Sequence, residues 1–471
     1  MKMRTESDSF GPVEIPADRY WGGQTQRAIA VFEIDGPRMP RAICRVFGLQ
    51  KAAAARANLA LGVLDAKRAG LILQAAEELW QGAFDDHFPL PVFQTGSGTQ
   101  TNMNANEVLA NRANELDGQP LGTRNPVHPN DHVNRSQSSN DSFPTVMQIT
   151  AVLALSDQVL PALDQLHDML DRKAREFVDV VRIGRTHLND AVPVMLGQNF
   201  AAYARQIDLS RRRIGATLPD LRELPQGGTA AGSGLNAPRG FDVTFCAALS
   251  DATGQSFTAS PVKVEGMAAH DAIVAASASL EGLAIGLIHI LNDLRLLASG
   301  PRAGLGELRI PDDGLTSSIM PGKRNATLAE ALIQVCQRSI GNHATVAWAG
   351  ASGLFELNVS KPVLIHAFVE SCDALASGIR AFTERSLTGL EADRARMSLN
   401  VEMTLMVATA LAPRLGYDRV AELTRTAEVE GLSLREACLN MNLLSPEDFD
   451  LLINPARMAR GDLSDPAGNQ S

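Results

Sequence analysis

Cysteine is scarce in this chain and widely scattered. The five, Cys44, Cys246, Cys336, Cys372 and Cys438, contain no C-x-x-C pair, and any pairing leaves one over. That excludes a disulfide framework and points to reduced thiols in a cytoplasmic protein. Basic runs are missing too. With a formal net charge of -10, a pI of about 5.5 and no block of Lys or Arg long enough to follow a phosphate backbone, nucleic acid is excluded as a partner. The opening "MKMRTESDSF" lacks the apolar centre of a signal peptide. The most apolar region, 272–298, is interrupted by Glu281, Asn292, Asp293 and Arg295, so no membrane span is expected. Strand patterns are few, and no βαβ alternation appears.

Helical periodicity is plentiful. With 45% apolar and 20% charged residues over 471 positions, the chain is globular and long enough to bury a substantial core. From Pro144 to about Phe177, Val152, Leu155, Val159, Leu163, Leu166 and Leu170 recur at steps of three and four. Asp141 and Ser142 are the expected caps there, with Pro144 in the first turn. A second long pattern runs from Lys263 to Ser299 and stops at Gly300-Pro301. Others cover about 192–218, 327–350 and 361–386.

The Lys263–Ser299 segment is apolar around most of its circumference, as expected of a helix buried on all sides. One monomer offers too little to cover five such helices. The expectation is an all-α fold whose long central helices pack into a bundle shared between subunits. The N-terminal region, 1–140, is richer in turns. The bundle domain is expected over 141–392, and a C-terminal domain of short helices over 393–471, one of them opened by a capping box from Ser445 to Asp448. A loose tail, "GDLSDPAGNQS", follows.

Several segments are too polar for the helices they flank: "TGSGTQTNMNANE" (95–107), "HPNDHVNRSQSSND" (128–141), "GRTHLND" (184–190) and the opening stretch around "FGPVEIPADRYWGGQTQ", while "TSSIMPGKRN" (316–325) has neither helical nor strand periodicity. Singly, each has a local explanation, because Ser, Thr, Asn and Asp cap helices and make turns. His187 reads equally well as a hydrogen-bonded turn residue, and "TLAE", Thr327 to Glu330, as a capping box. His128, Asp131 and His132 lack the further ligands of a metal shell, so no metal is expected. "GGTAAGSGLN" (227–236) follows no strand pattern and is a weak dinucleotide signal. Together these segments suggest a pocket of neutral donors plus Lys323, suited to a small polycarboxylate, with His187 free to move protons. A serine hydroxyl such as Ser317 becomes a base only where lysine, amides or a helix N-terminus hold its oxyanion, each such donor contributing about 3 kcal/mol.

In this order the segments resemble the class II fumarases of the aspartase/fumarase superfamily. The similarity runs from "FGPVEIPADRYWGGQTQRA" through "DDHFPLPVFQTGSGTQTNMNANEVLANRA" and "FELNVSKPV" to "EGLSLREACL", and "SSIMPGK" resembles the superfamily's signature loop, here within 314–326. The resemblance implies an aspartase/fumarase-like homotetramer with each active site built from three subunits. It also implies reversible anti addition of water to fumarate, without metal or organic cofactor.

By that resemblance Ser317 is the base, on a mobile loop that closes over the substrate. His187, oriented by Glu330, handles the water, and Lys323 and Asn325 stabilise the charge that builds on one carboxylate. Ser97, Gly98, Thr99, Ser138, Ser139, Asn140, Thr186, Ser318 and Arg324 would complete the carboxylate contacts. His128, Pro129, Asn130 and Asp131 match the family's secondary dicarboxylate site.

His187, "SQSSND" and "PGK" favour water over the ammonia chemistry of aspartases. The chain departs from the family at Thr316, Arg324 and Ala326, where Gly, Val and Pro are usual, and at Asn189 and Asn199. Thr316 is expected to stiffen the loop and Arg324 to add a cation beside Lys323. An enzyme for a substituted dicarboxylate, an aspartase-type lyase and a helical scaffold without catalysis therefore remain alternative readings.

Overall fold

The structure is a computed structural model that describes residues 2–8 and 10–461. The expected loose tail, from residue 462 on, lies outside the described residues. Helices dominate. In chain order they are α1 (Gly23–Val31), α2 (Arg41–Ala60), α3 (Ala66–Trp80), α4 (Thr99–Leu116), α5 (Ser139–Ala154), α6 (Leu160–Glu176), α7 (Leu196–Gly215), α8 (Leu218–Leu221), α9 (Phe241–Thr253) and α10 (Lys263–Ala268). They continue with α11 (Asp271–Leu297), α12 (Thr327–Gly350), α13 (Lys361–Phe382), α14 (Arg394–Met403), α15 (Ala412–Leu415), α16 (Tyr417–Glu430), α17 (Leu434–Asn440), α18 (Pro446–Leu452) and α19 (Pro455–Arg460). Among the described residues strands occur only in small pairs. An N-terminal hairpin joins β1 (Met3–Asp8) to β2 (Gly11–Pro16), and a second joins β3 (Val181–Thr186) to β4 (Asn189–Met195), both antiparallel.

The chain forms two compact units. One comprises residues 1–161, 210–285 and 335–376; the other 162–209, 286–334 and 377–471. In the first, α2 packs on α3 and α5, burying Phe47, Ile43, Ile72, Leu79 and Phe143. In the second, α16 to α18 enclose Leu411, Leu423, Leu434, Cys438 and Phe449. All five cysteines are free and buried.

The helices expected over 327–350 and 361–386 appear as α12 and α13, the latter extended by a π turn to Leu387. The 144–177 pattern appears as α5 and α6, joined through a π turn at Leu155–Val159. Three stretches, Ser139–Glu176, Asp271–Leu297 and Lys361–Leu387, are long and apolar enough to cross a membrane by composition alone. Their most apolar windows are 67%, 44% and 61% buried within the chain itself.

Four local expectations are corrected. The pattern over 192–218 begins as strand β4, with Pro193 inside it, and α7 starts only at Leu196. The cap of α5 is Ser138: its hydroxyl accepts from the first turn while Asp141, three residues on, accepts from the Ser138 amide at 2.9 Å. Asp141 is thus the far half of a capping box, and Pro144 lies inside the helix. At α18 only half of the expected box forms, Ser445 accepting from the Asp448 amide at 3.1 Å. At α12 the Thr327 hydroxyl bonds Asp313 and the Glu330 carboxylate bonds Arg295, so "TLAE" forms no capping box.

The Lys263–Ser299 run is broken into α10 and α11 at Ala269-His270. His270 there takes a left-handed backbone with φ +64°. No Gly or Pro marks that break in the sequence. His270 is 4% exposed, its Nε2 has no hydrogen-bond partner among the described residues, and burial pulls its pKa down to about 3, the Lys361 charge adding to the effect. The native imidazole is therefore neutral at pH values where an unfolded one, titrating at about 6.5, takes a proton. Stability from this group is complete above pH 6.5 and is lost as pH falls toward 3, by about 3 kcal/mol at pH 4.5. His270→Asn keeps a residue that tolerates the left-handed backbone and removes the titration. Urea midpoints of the variant and the parent should converge between pH 7.5 and 4.5; a gap that stays constant would exclude His270 as a source of acid lability.

Candidate active site

Two helix N-termini meet in the first unit. The turn before α4 is seated by glycines. A Cβ on Gly96 would lie 1.3 Å from the Val359 carbonyl oxygen, and one on Gly98, at φ +76°, would lie 2.3 Å from the Phe143 ring. That seating brings the Ser97 and Thr99 hydroxyls within 2.7 Å of each other at the start of α4. Asn102, in the same first turn, donates to the Ser139 hydroxyl at the start of α5, at 2.9 Å. Asn140 donates to the Ala230 carbonyl at 2.8 Å. Ser97, Gly98, Thr99, Ser138, Ser139 and Asn140 thus form one donor-rich cluster where the positive ends of α4 and α5 converge, a setting that favours an anion.

The glycine-rich segment 227–236 has a structural task. The Gly227 and Thr229 amides donate to Asp141 at 3.0 and 2.9 Å, fixing the base of α5. Burial pushes the Asp141 carboxyl up to about 6, against the pull of its three amide donors and Lys51.

In the second unit Thr186 and His187 stand exposed at the tip of the β3–β4 hairpin. Thr186 pairs with Asn189, leaving a two-residue turn of His187 and Leu188 with φ +55° and +62°. Such a turn usually takes Asn-Gly. The Asn189 side chain braces it by donating to the His187 carbonyl at 3.3 Å. The hairpin base is stiff: Glu307, fully buried, lies 2.6 Å from Arg185 and 3.8 Å from Arg182 and accepts from Asn400 at 2.8 Å. The His187 imidazole has no hydrogen-bond partner among the described residues. The Glu330 carboxylate meets Arg295 at 3.0 Å within the chain.

The 314–326 loop is largely exposed and is pinned at both ends by a pair of aspartates. Asp312 accepts from the Gly314 amide at 3.0 Å and meets Arg324 at 2.9 Å. Asp313 accepts from the Leu315 amide at 2.9 Å and also from the Thr327 hydroxyl. These two bonds, the Thr327 one foremost, hold the Asp313 carboxyl below the usual range. Exposed pairs of this kind contribute about 1 kcal/mol or less, enough to bias a loop without locking it. The Ser317 hydroxyl oxygen accepts from the Ile319 and Met320 amides at 3.4 and 3.3 Å. Ser318 is exposed beside it.

Lys323, Arg324, Asn325 and Glu330 line a cavity of about 650 Å³ with Arg295, Arg309 and Asn292. Ser317 and His187 are not among its lining residues. The HPND segment forms one π turn, Pro129–Val133, in which His128 accepts from the Asn130 and Asp131 amides at 3.2 Å each. Among the described residues no cluster of three or more His, Cys, Asp or Glu side chains is arranged to hold a metal.

Residues 11–341 match the lyase family model and residues 407–460 the fumarase C C-terminus. Over 458 residues the chain is 50% identical to the class II fumarate hydratase of Methylorubrum extorquens, covering 97% of each chain. The chain belongs to the class II fumarate hydratase family. It is 49% identical over 457 residues to fumarate hydratase class II 2 of Bradyrhizobium diazoefficiens, again covering 97% of each. The crystal structure of class II fumarase from Schistosoma mansoni shares its fold with a TM-score of 0.94 and 39% identity, covering 97% of this chain and 99% of that one. The all-α aspartase/fumarase fold of a hydro-lyase is thereby established.

Sequence reasoning missed Lys51, Asn102, Asp312 and Asp313. Lys51 did carry a signal: it stands four residues after Phe47 and three before Ala54, both buried on the same face of α2. The two left-handed residues at the hairpin tip were equally hidden. A bulky side chain there costs about 1 to 2 kcal/mol. Leu188→Gly should therefore raise the unfolding free energy by about 1 kcal/mol, read from denaturant midpoints; no gain would mean that the turn is unstrained.

Proposed function

We propose that the chain catalyses the reversible anti addition of water to fumarate to give (S)-malate, needing neither metal nor organic cofactor. The observation that carries this reading is the similarity over 97% of the chain to enzymes named for that reaction. By the family resemblance the chemistry falls to Ser317, His187, Lys323, Asn325 and Glu330. Its place would be the tricarboxylic acid cycle, in the cytoplasm.

In the malate direction Ser317, as its alkoxide, removes the proton on the carbon beside one carboxylate. The Ile319 and Met320 amides favour that alkoxide. The electron pair moves into the carboxylate to give an aci-carboxylate, whose added charge Lys323 and Asn325 stabilise. His187 then protonates the departing hydroxide, and in hydration it activates the water. Ser97, Thr99, Ser138, Ser139, Asn140, Thr186 and Ser318 hold the carboxylates. Gly98 keeps the α4 terminus open to them, and His128 to Asp131 form the secondary dicarboxylate site.

The working unit is a homotetramer whose active sites each draw on three subunits. Exposed apolar side chains on the long helices, Ile285 at 56% and Trp348 at 79%, support burial between copies. Glu330 uses one carboxylate oxygen for Arg295, leaving the other for a histidine of a second copy. The segments 1–140, 141–392 and 393–471 act as N-terminal, bundle and C-terminal domains.

A more anionic or substituted substrate is the second reading, because Arg324 lines the cavity. Its charge, however, is already met by Asp312 at 2.9 Å, which favours fumarate. Thr316 is not among the residues with positive φ, so its backbone needs no glycine.

Purified protein should hydrate fumarate, seen as falling ultraviolet absorbance of the double bond, and leave aspartate untouched. Turnover of aspartate or of methyl-substituted fumarates alone would replace this assignment. Ser317→Ala and His187→Asn should each lower kcat by about a hundredfold or more, with the tetramer intact by size-exclusion chromatography. Parental rates in both variants would remove the proposed roles.

A further inference from the structure

We infer that Lys51 is a positioning residue of the carboxylate site, setting the direction in which the Ser139 hydroxyl donates. The inference rests on the reading of Ser139 as a substrate-binding group. Lys51 lies on α2 and is 0% exposed. Its ammonium donates to three amide oxygens: Asn102 at 2.8 Å, Gln137 at 2.9 Å and Asn134 at 3.1 Å. No carboxylate is among these acceptors. Asp141, the nearby acid, is occupied by backbone amides. Burial pulls the Lys51 ammonium down to about 7, and Asp141 opposes that pull.

An ammonium only donates, so Asn102 must turn its oxygen toward Lys51 and its NH₂ away. That NH₂ reaches the Ser139 hydroxyl oxygen at 2.9 Å and the Asn134 oxygen at 3.2 Å. Ser139 is thereby an acceptor on its protein side, and its single proton is left for the open side. An ionised carboxylate accepts and cannot donate, so it needs that proton. Donation into the Ser139 oxygen also makes its hydroxyl a stronger donor. Without the ammonium, Asn102 is free to flip and to take the Ser139 proton itself.

Gln137 is fixed in the same way. Its oxygen accepts from Lys51 and from Gln50, both at 2.9 Å, while its NH₂ holds the Val133 and Arg135 carbonyls. The segment leading to the Ser138 cap is thus held from the same buried point.

The test is a double-mutant cycle on the full-length enzyme, reading fumarate KM, kcat and the Ki of succinate as a dicarboxylate probe. Lys51→Met, Asn102→Ala and Ser139→Ala should each raise KM and Ki about tenfold, with kcat changed less than about threefold. Lys51→Met combined with Ser139→Ala should be no weaker than Ser139→Ala alone, because both act on one donor. Asn102→Ala retains the ammonium and two of its acceptors, so it supplies the same cycle if Lys51→Met does not fold. Effects that multiply in the combined variants, or unchanged Ki in the Lys51 and Asn102 variants while Ser139→Ala weakens binding, would overturn this inference alone. An unchanged Ki in Ser139→Ala would instead overturn the substrate-binding reading of Ser139, and this inference with it.

Discussion

Every ion taken out of water in this fold must be surrounded by partners of opposite polarity, and that requirement organises its polar half. Glu107, fully enclosed, accepts from the Gly22, Gln24 and Thr25 amides and from the Thr25 hydroxyl at 2.6 to 3.1 Å, capping α1 from another helix. Asp141 gathers the amides of Ser138, Gly227 and Thr229. Buried carboxylates are thus consumed by backbone N–H groups. The buried ammonium of Lys51 is met only by neutral amide oxygens. The negative charge near α4 and α5 is neutralised by local dipoles while the positive charge is passed outward, which leaves their shared terminus rich in donors.

The two units treat their reactive groups differently. In the first, Ser97, Thr99 and Ser138 to Asn140 are fixed by glycine seating, a capping box and the Lys51 network, so the proposed binding groups sit on a rigid frame. In the second, His187 is held at the tip of a hairpin anchored by buried Glu307, and Ser317 rides on an exposed loop tied only by Asp312 and Asp313. Rigidity is concentrated at the α4 and α5 termini, proposed to grip carboxylates. Looseness is concentrated in the 314–326 loop, proposed to close over the substrate.

The long helices could be read from the sequence because their apolar spacing is set by burial, which the residues themselves report: α12 and α13 are found where the pattern puts them. The break at His270 could not, since a left-handed histidine leaves no mark of the kind that Gly or Pro leaves. Nor could β4, whose alternation over Asn189–Met195 runs straight into the helical pattern of α7. At the site, residue types alone suggested a dicarboxylate pocket, but the roles of Ser317 and His187 came from family resemblance. The spacing of Lys51 from Phe47 and Ala54 marked it as buried, but its partners Asn102, Asn134 and Gln137 lie far along the chain and so left its role unread.

Anti addition places one demand that a single rigid element cannot meet: the proton and the hydroxyl join opposite faces of a planar double bond. A base and an acid on one short segment would approach from the same side. In this chain the proposed base and the proposed water-handling group belong to different supports, a pliable loop and a stiff hairpin. The proposed carboxylate-binding donors belong to a third, the α4 and α5 termini. If the substrate is held by its two ends at that third support, its plane is fixed before either proton moves, and each reactive group needs to reach only one face. On that view the Lys51 network and the Ser317 loop serve the same end, one by fixing the plane and the other by arriving at it last.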